Sequence, residues 1–138
     1  MKKEKQRYDH FAATANTVIN NLITLPGDEL NGKLFEAASF SGDIECVYVL
    51  DKSDIQISNT IFPNRVPNLK DNLLFFPADT GADHSVKSYF YQLANSRMNE
   101  YLTEPYTSLA TGNICTTFSR FFENAADGKH ILCVDYKV

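Results

Sequence analysis

Residues 114–138, ICTTFSRFFENAADGKHILCVDYKV, decide the fold. Ile114 to Glu123 is rich in Thr, Phe and β-branched side chains and reads as a strand. Asp127-Gly128 is a hairpin turn signal, and His130 to Val138 returns as a second strand that closes a sheet. Side chains alternate along a strand, so His130, Leu132, Val134, Tyr136 and Val138 share one face. Ile131, Cys133, Asp135 and Lys137 share the other. Leu132, Val134 and Tyr136 predict the core face against helices, which leaves Asp135 on the far side. If a loop covers that side, the carboxylate is partly buried and needs a cationic or hydrogen-donating partner. A ligand amine would serve; a solvent-facing Asp, or an internal ion pair with Lys87, accounts for the same periodicity.

Working outward, Glu100 to Thr103 reads as a short strand, ended by Glu104-Pro105-Tyr106, and Ala110 to Asn113 as a turn. Before them, Val86, Tyr89, Phe90, Leu93 and Ala94 share one face of a helix over 86–99. Phe62 to Ser85 carries Pro63, Pro67, Pro77 and Gly81, yet Leu73-Leu74-Phe75-Phe76 is too apolar to lie free in water. A connection of that length predicts a folded covering loop. Ile44 to Leu50 is a strong strand, Asp51 to Asp54 is turn chemistry, and Ile55, Ile57 and Ile61 alternate with polar neighbours as a second strand. Two helices precede it. Phe11, Ala15, Val18, Ile19 and Leu22 stripe the first, Tyr8 to Leu25; Leu30, Leu34, Ala37 and Ala38 stripe the second, capped at Asp28 and running to Ser41. The order predicts an α+β fold with a central antiparallel sheet of about five strands behind a long N-terminal helix. Residues 1–42 form the helical region and 43–138 the sheet with its covering loop 62–85, one domain in all.

Composition agrees. The chain has 138 residues, 43% apolar and 22% charged, which supports a core without disulfide or metal staples. A net charge of -4 argues against an electrostatically driven nucleic-acid or anionic-membrane binder. The charged start MKKEKQRYDH precedes no long apolar run, and no stretch of roughly 18 apolar residues exists, so neither a secretory signal nor a membrane span is expected. Three widely separated cysteines, Cys46, Cys115 and Cys133, read as small buried hydrophobes in a reducing, cytoplasmic setting.

Catalytic constellations are hard to assemble. His130 and Cys133 are an odd number apart on one strand and point to opposite faces, against a Cys/His nucleophile pair. Ser108 and Ser119 lack a G-x-S-x-G context, and no phosphate-binding or dinucleotide fingerprint is present. Glu100 and Glu104 read as a solvated pair. His10, His84 and His130 are too dispersed for a metal site, and neither a cofactor nor enzymatic activity is expected.

One resemblance spans roughly residues 83–138. Lys87-Ser88-Tyr89-Phe90-Tyr91, Thr103-Glu104-Pro105-Tyr106, Thr111-Gly112, Ile114 to Ser119, Asp127-Gly128-Lys129 and Val134-Asp135-Tyr136, in this order and spacing, resemble the Cache family of PAS-like sensor domains. These serve bacterial chemoreceptors, histidine kinases and cyclic-di-GMP enzymes. The resemblance implies a ligand pocket between the sheet and the covering loop. Lys87, at the position of the family's Arg, and Tyr89 would face a ligand's anionic or polar end; Tyr106 and Asp135 would face its amine; Tyr91 joins the ligand-binding set. The implied function is a non-catalytic small-molecule sensor for an amine, amino acid or carboxylate, with a possible homodimer through the N-terminal helix. The alternative is a structural or protein-interaction module of the same fold, with the pocket filled by Phe75, Phe76 and Tyr91.

Overall fold

The computed structural model describes residues 2–23, 29–64, 80–84, 99–108, 111–124 and 128–138, with side chains of the first helix from residue 5 onward. All but the last residue of the helix expected over 86–99, most of the loop 62–85, and Lys87, Tyr89 and Tyr91 lie outside these residues. Helices α1 (Lys2–Leu22) and α2 (Leu30–Ala38) precede strands β1 (Ile44–Asp51), β2 (Glu100–Leu102), β3 (Tyr106–Thr107), β4 (Ile114–Asn124) and β5 (Gly128–Lys137). The architecture is α+β. The sheet runs β1-β5-β4-β2, with β3 also paired to β4, and each of these pairings is antiparallel.

The β4–β5 hairpin is its backbone, in unbroken register from Cys115 opposite Lys137 to Asn124 opposite Gly128. Gly128 enters β5 at φ +90, a conformation that suits glycine because it lacks Cβ. The helix side of the sheet carries Leu132, Val134 and Tyr136 of β5, Phe118 and Phe122 of β4, and Ile44, Val47 and Val49 of β1. Against it lies the expected α1 stripe of Phe11, Ala15, Val18, Ile19 and Leu22, all buried. Tyr136 locks the layers together. Its ring stacks on Phe11 at 4.1 Å, and its hydroxyl donates to the Phe11 carbonyl at 2.8 Å. Thr14 shares that hydroxyl. At the other end of α1, the buried Asn124 amide donates to the Leu22 carbonyl at 2.9 Å, satisfying one of the carbonyls a helix end leaves open.

Two expectations need correction. The segment 55–61 is no continuous strand. Its bridges to β1, Leu50 with Gln56 and Val47 with Ile61, stand apart from each other, the first flanked by backbone hydrogen bonds from Asp51 to Ile55 and from Ile57 to Val49. Three steps along β1 thus face five along the returning chain, so the ladder cannot close. The Ser58 hydroxyl fills the gap by accepting from the Val49 amide at 2.9 Å. Tyr106, expected within a strand break, is itself the start of β3, opposite Cys115. The turn before it all is as expected: Asp51 Oδ1 accepts from the Ser53 and Ile55 amides at 2.8 and 3.1 Å.

Candidate functional site

The face turned away from the helices holds the chemistry. Strand pairing sets Cys46 opposite Asp135 and Asp135 opposite Thr117, so three polar side chains form one row across β1, β5 and β4. Asp135 is only 4% exposed, which removes the solvent-facing reading. Thr117 Oγ1 donates to Asp135 Oδ1 at 2.6 Å, and the Cys46 thiol donates to Asp135 Oδ2 at 3.2 Å. Tyr106 lies 2.5 Å from Thr117 Oγ1. A hydroxyl has one proton, and that of Thr117 is committed to the carboxylate, so the Tyr106 phenol is the donor there. The result is a directed chain, Tyr106 to Thr117 to Asp135, whose donors stabilise the negative charge at its end. Thr103 steadies it: its hydroxyl accepts from the Thr117 amide at 3.0 Å, and its carbonyl accepts from Thr116 Oγ1 at 2.6 Å.

The carboxylate marks its neighbours electrostatically. Burial first, and then the charge of Asp135, push the Cys46 thiol well above its usual range. The same two causes raise the Tyr106 phenol, and raise Cys115 to about 12. Neutral donors are thereby held protonated around the anion, as desolvation and a like charge both require. All three cysteines are buried and free, as expected.

Further along this face, Tyr48, Leu50, Ile131 and Cys133 form a second apolar cluster, with Tyr101 and Phe121 packed on it. His84 stacks on Tyr48 at 5.2 Å and lies 2.9 Å from Gln56 Oε1. Gln56 Nε2 donates to the Ser58 carbonyl at 2.7 Å, which fixes the amide's orientation. Its Oε1 is therefore an acceptor, and His84 carries a proton on Nε2. The face is thus an anion-bearing polar end beside an aromatic and aliphatic floor.

Of the sequence-derived site residues, Tyr106 and Asp135 come together through Thr117, while Lys87, Tyr89 and Tyr91 lie outside the described residues. Thr117 and Cys46 were missed. The signal for Thr117 was present in the hairpin, since pairing from the Asp127-Gly128 turn runs up to Thr117 opposite Asp135. Cys46 needed the β1–β5 register, which no local pattern encodes. His130 lies on the helix side beside Phe122, away from Cys133. Glu100 is not simply solvated. It is half-buried, and after burial itself it is the main reason the Tyr8 phenol is pushed up to about 12. Among the described residues, no three His, Cys, Asp or Glu side chains are placed to hold a metal, and no helix is long and apolar enough to cross a membrane.

No family model matches the chain, and no curated protein matches it. Solved structures do share its fold. The Bacillus subtilis YkuI protein, which has an EAL domain and was solved with its substrate c-di-GMP and calcium, aligns over 99% of this chain with TM-score 0.67 and 19% identity. The ligand-binding domain of the Pseudomonas fluorescens chemoreceptor CtaA, in complex with L-isoleucine, aligns over 96% with TM-score 0.54 and 15% identity. The ligand-binding domain of Mlp24 with asparagine aligns over 99% with TM-score 0.56 and 9% identity. The chain spans 34% of the YkuI chain and about half of the other two. At these identities the likeness is one of fold alone.

Proposed function

We propose that the chain is a non-catalytic, Cache-type sensor domain of bacterial signal transduction that binds a small polar molecule on the face of its sheet turned away from α1 and α2. The observation that carries this reading is the buried Asp135 carboxylate at the end of the Tyr106–Thr117 donor chain. A buried carboxylate beside an apolar and aromatic floor suits a ligand's ammonium group and the carbon skeleton behind it. Two structural neighbours being ligand-binding domains solved with amino acids supports the same class. In this proposal Tyr106 and Asp135 hold the amine end, and Lys87, Tyr89 and Tyr91 meet the other end from the covering side. Ligand binding shifts α1, through which two copies pair, in a cytoplasmic setting.

The test is a thermal-shift screen of L-isoleucine, asparagine, other amino acids, small amines and small carboxylates. A ligand at a hundred times its Kd adds about 2.7 kcal/mol, several degrees in Tm. At least one compound is expected to raise Tm in a concentration-dependent way, and Asp135→Ala to abolish the rise. A flat screen sinks the reading and favours an interaction module.

A further inference from the structure

We propose a second, separate binding site, for a primary ammonium group, in the cavity built by the β-bulge at the start of β1. The bulge lies between Ile44 and Cys46. Ile44 and Val47 both belong to the helix-side core, so the residues between them break the alternation and turn together to the opposite side. Glu45 is thereby carried inward, 7% exposed, and its charge reaches the thiols of Cys46 and Cys115. Bulges re-aim side chains in this manner beside functional sites. The cavity measures about 200 Å³ and is lined by Ile44, Glu45, Asn64, Asn113 and Lys137.

The polar atoms it offers can be counted. Asn64 Nδ2 donates to the carbonyls of Ser41 and Ile44, and a carbonyl only accepts, so the amide's orientation is forced and Oδ1 is left as an acceptor. Asn113 Nδ2 donates to Glu45 Oε1 at 2.9 Å, which leaves its own Oδ1 as an acceptor by the same rule. The donor on the Glu45 carboxylate among the described residues is the Asn113 amide, at Oε1, and Oε2 is a further acceptor. The residues lining the cavity thus bring three acceptor oxygens, one of them charged and on a largely buried side chain. A primary ammonium carries three N–H donors and one positive charge, and matches that set in number and sign. Lys137, exposed at the rim, makes no ion pair with Glu45. A tetraalkylammonium has the charge without the donors and does not fit.

The probes are methylammonium and tetramethylammonium chloride at matched ionic strength, followed by the side-chain amide resonances of Asn64 and Asn113 in ¹⁵N-labelled protein. Methylammonium is expected to shift both amides saturably, and tetramethylammonium to leave them in place. Glu45→Gln keeps the acceptor for Asn113 and the fold, and is expected to weaken methylammonium binding at least tenfold. Asp135→Asn, which removes a charge acting on the same thiols, is expected to weaken it far less than Glu45→Gln does, which separates this site from the one at Asp135. Equal responses to both cations, or a Glu45→Gln variant that titrates like the parent, overturns the proposal. Binding by Lys137→Ala but not by the parent chain assigns the ammonium to Lys137 itself and overturns it too.

Discussion

Thr117 donates its only hydroxyl proton to Asp135 at 2.6 Å across the β4–β5 pair, and the same oxygen accepts the Tyr106 phenol at 2.5 Å. Thr117→Val removes both functions of that oxygen while keeping its shape. A buried carboxylate then loses a donor and a phenol loses its acceptor, which costs about 1–3 kcal/mol. Thr117→Ser retains the hydroxyl and should cost less. Urea unfolding of the two variants checks this, and equal stability of valine and serine forms would sink it.

Cys46 combines complete burial with a carboxylate 3.2 Å from its sulfur. Only a thiolate attacks alkylating reagents, and this thiol is held protonated. Iodoacetamide at pH 8 should therefore modify Cys46 in the native protein only as fast as the chain opens, and rapidly in urea. Peptide mass spectrometry reads the site; fast native labelling at Cys46 would overturn its placement.

Alkaline pH should destabilise the domain. Burial raises Cys115 from 9.0, and Tyr8 and Tyr136 from 10.0, each to about 12. Cys46 and Tyr106 move in the same direction. Between the unfolded and folded values the unfolded chain binds fewer protons than the native one, so stability falls as pH rises. It is complete below about pH 9 and declines toward pH 12, the well-buried groups each adding up to about 1.4 kcal/mol per pH unit and the more exposed Tyr8 less, because solvent screens it. Urea midpoints at pH 7.5, 9 and 10.5 test this; a midpoint that holds steady or climbs would contradict the burial of these groups.

Gly128 stands at φ +90 with open space where a Cβ would project. Gly128→Ala should then cost only the backbone term, about 1–2 kcal/mol, without repacking. A drop in denaturation midpoint with an unchanged denaturant slope is the expected result.

Much of the fold was legible in local pattern. The α1 stripe from Phe11 to Leu22 and the β5 alternation are properties of helix and strand periods, and the same side chains are buried in the structure. The segment 55–61 misled because its alternating isoleucines satisfy a strand's period without revealing that it is two residues too long to pair with β1. Glu100 misled for a related reason. It is half-buried, and its hydrogen-bond partner Tyr8 stands more than ninety positions earlier in the chain.

The sequence by itself determined the α+β class, the hairpin around Gly128 and the side of β5 on which Asp135 stands, because periods of 2 and 3.6 and turn chemistry act between near neighbours. Only the tertiary structure decided what meets that carboxylate. The β1–β5 register brings Cys46 to it from 89 residues away, and the short β3 brings Tyr106 to it through Thr117. The bulge that turns Glu45 inward is likewise a property of two strands paired, since an extra residue exists only relative to a partner.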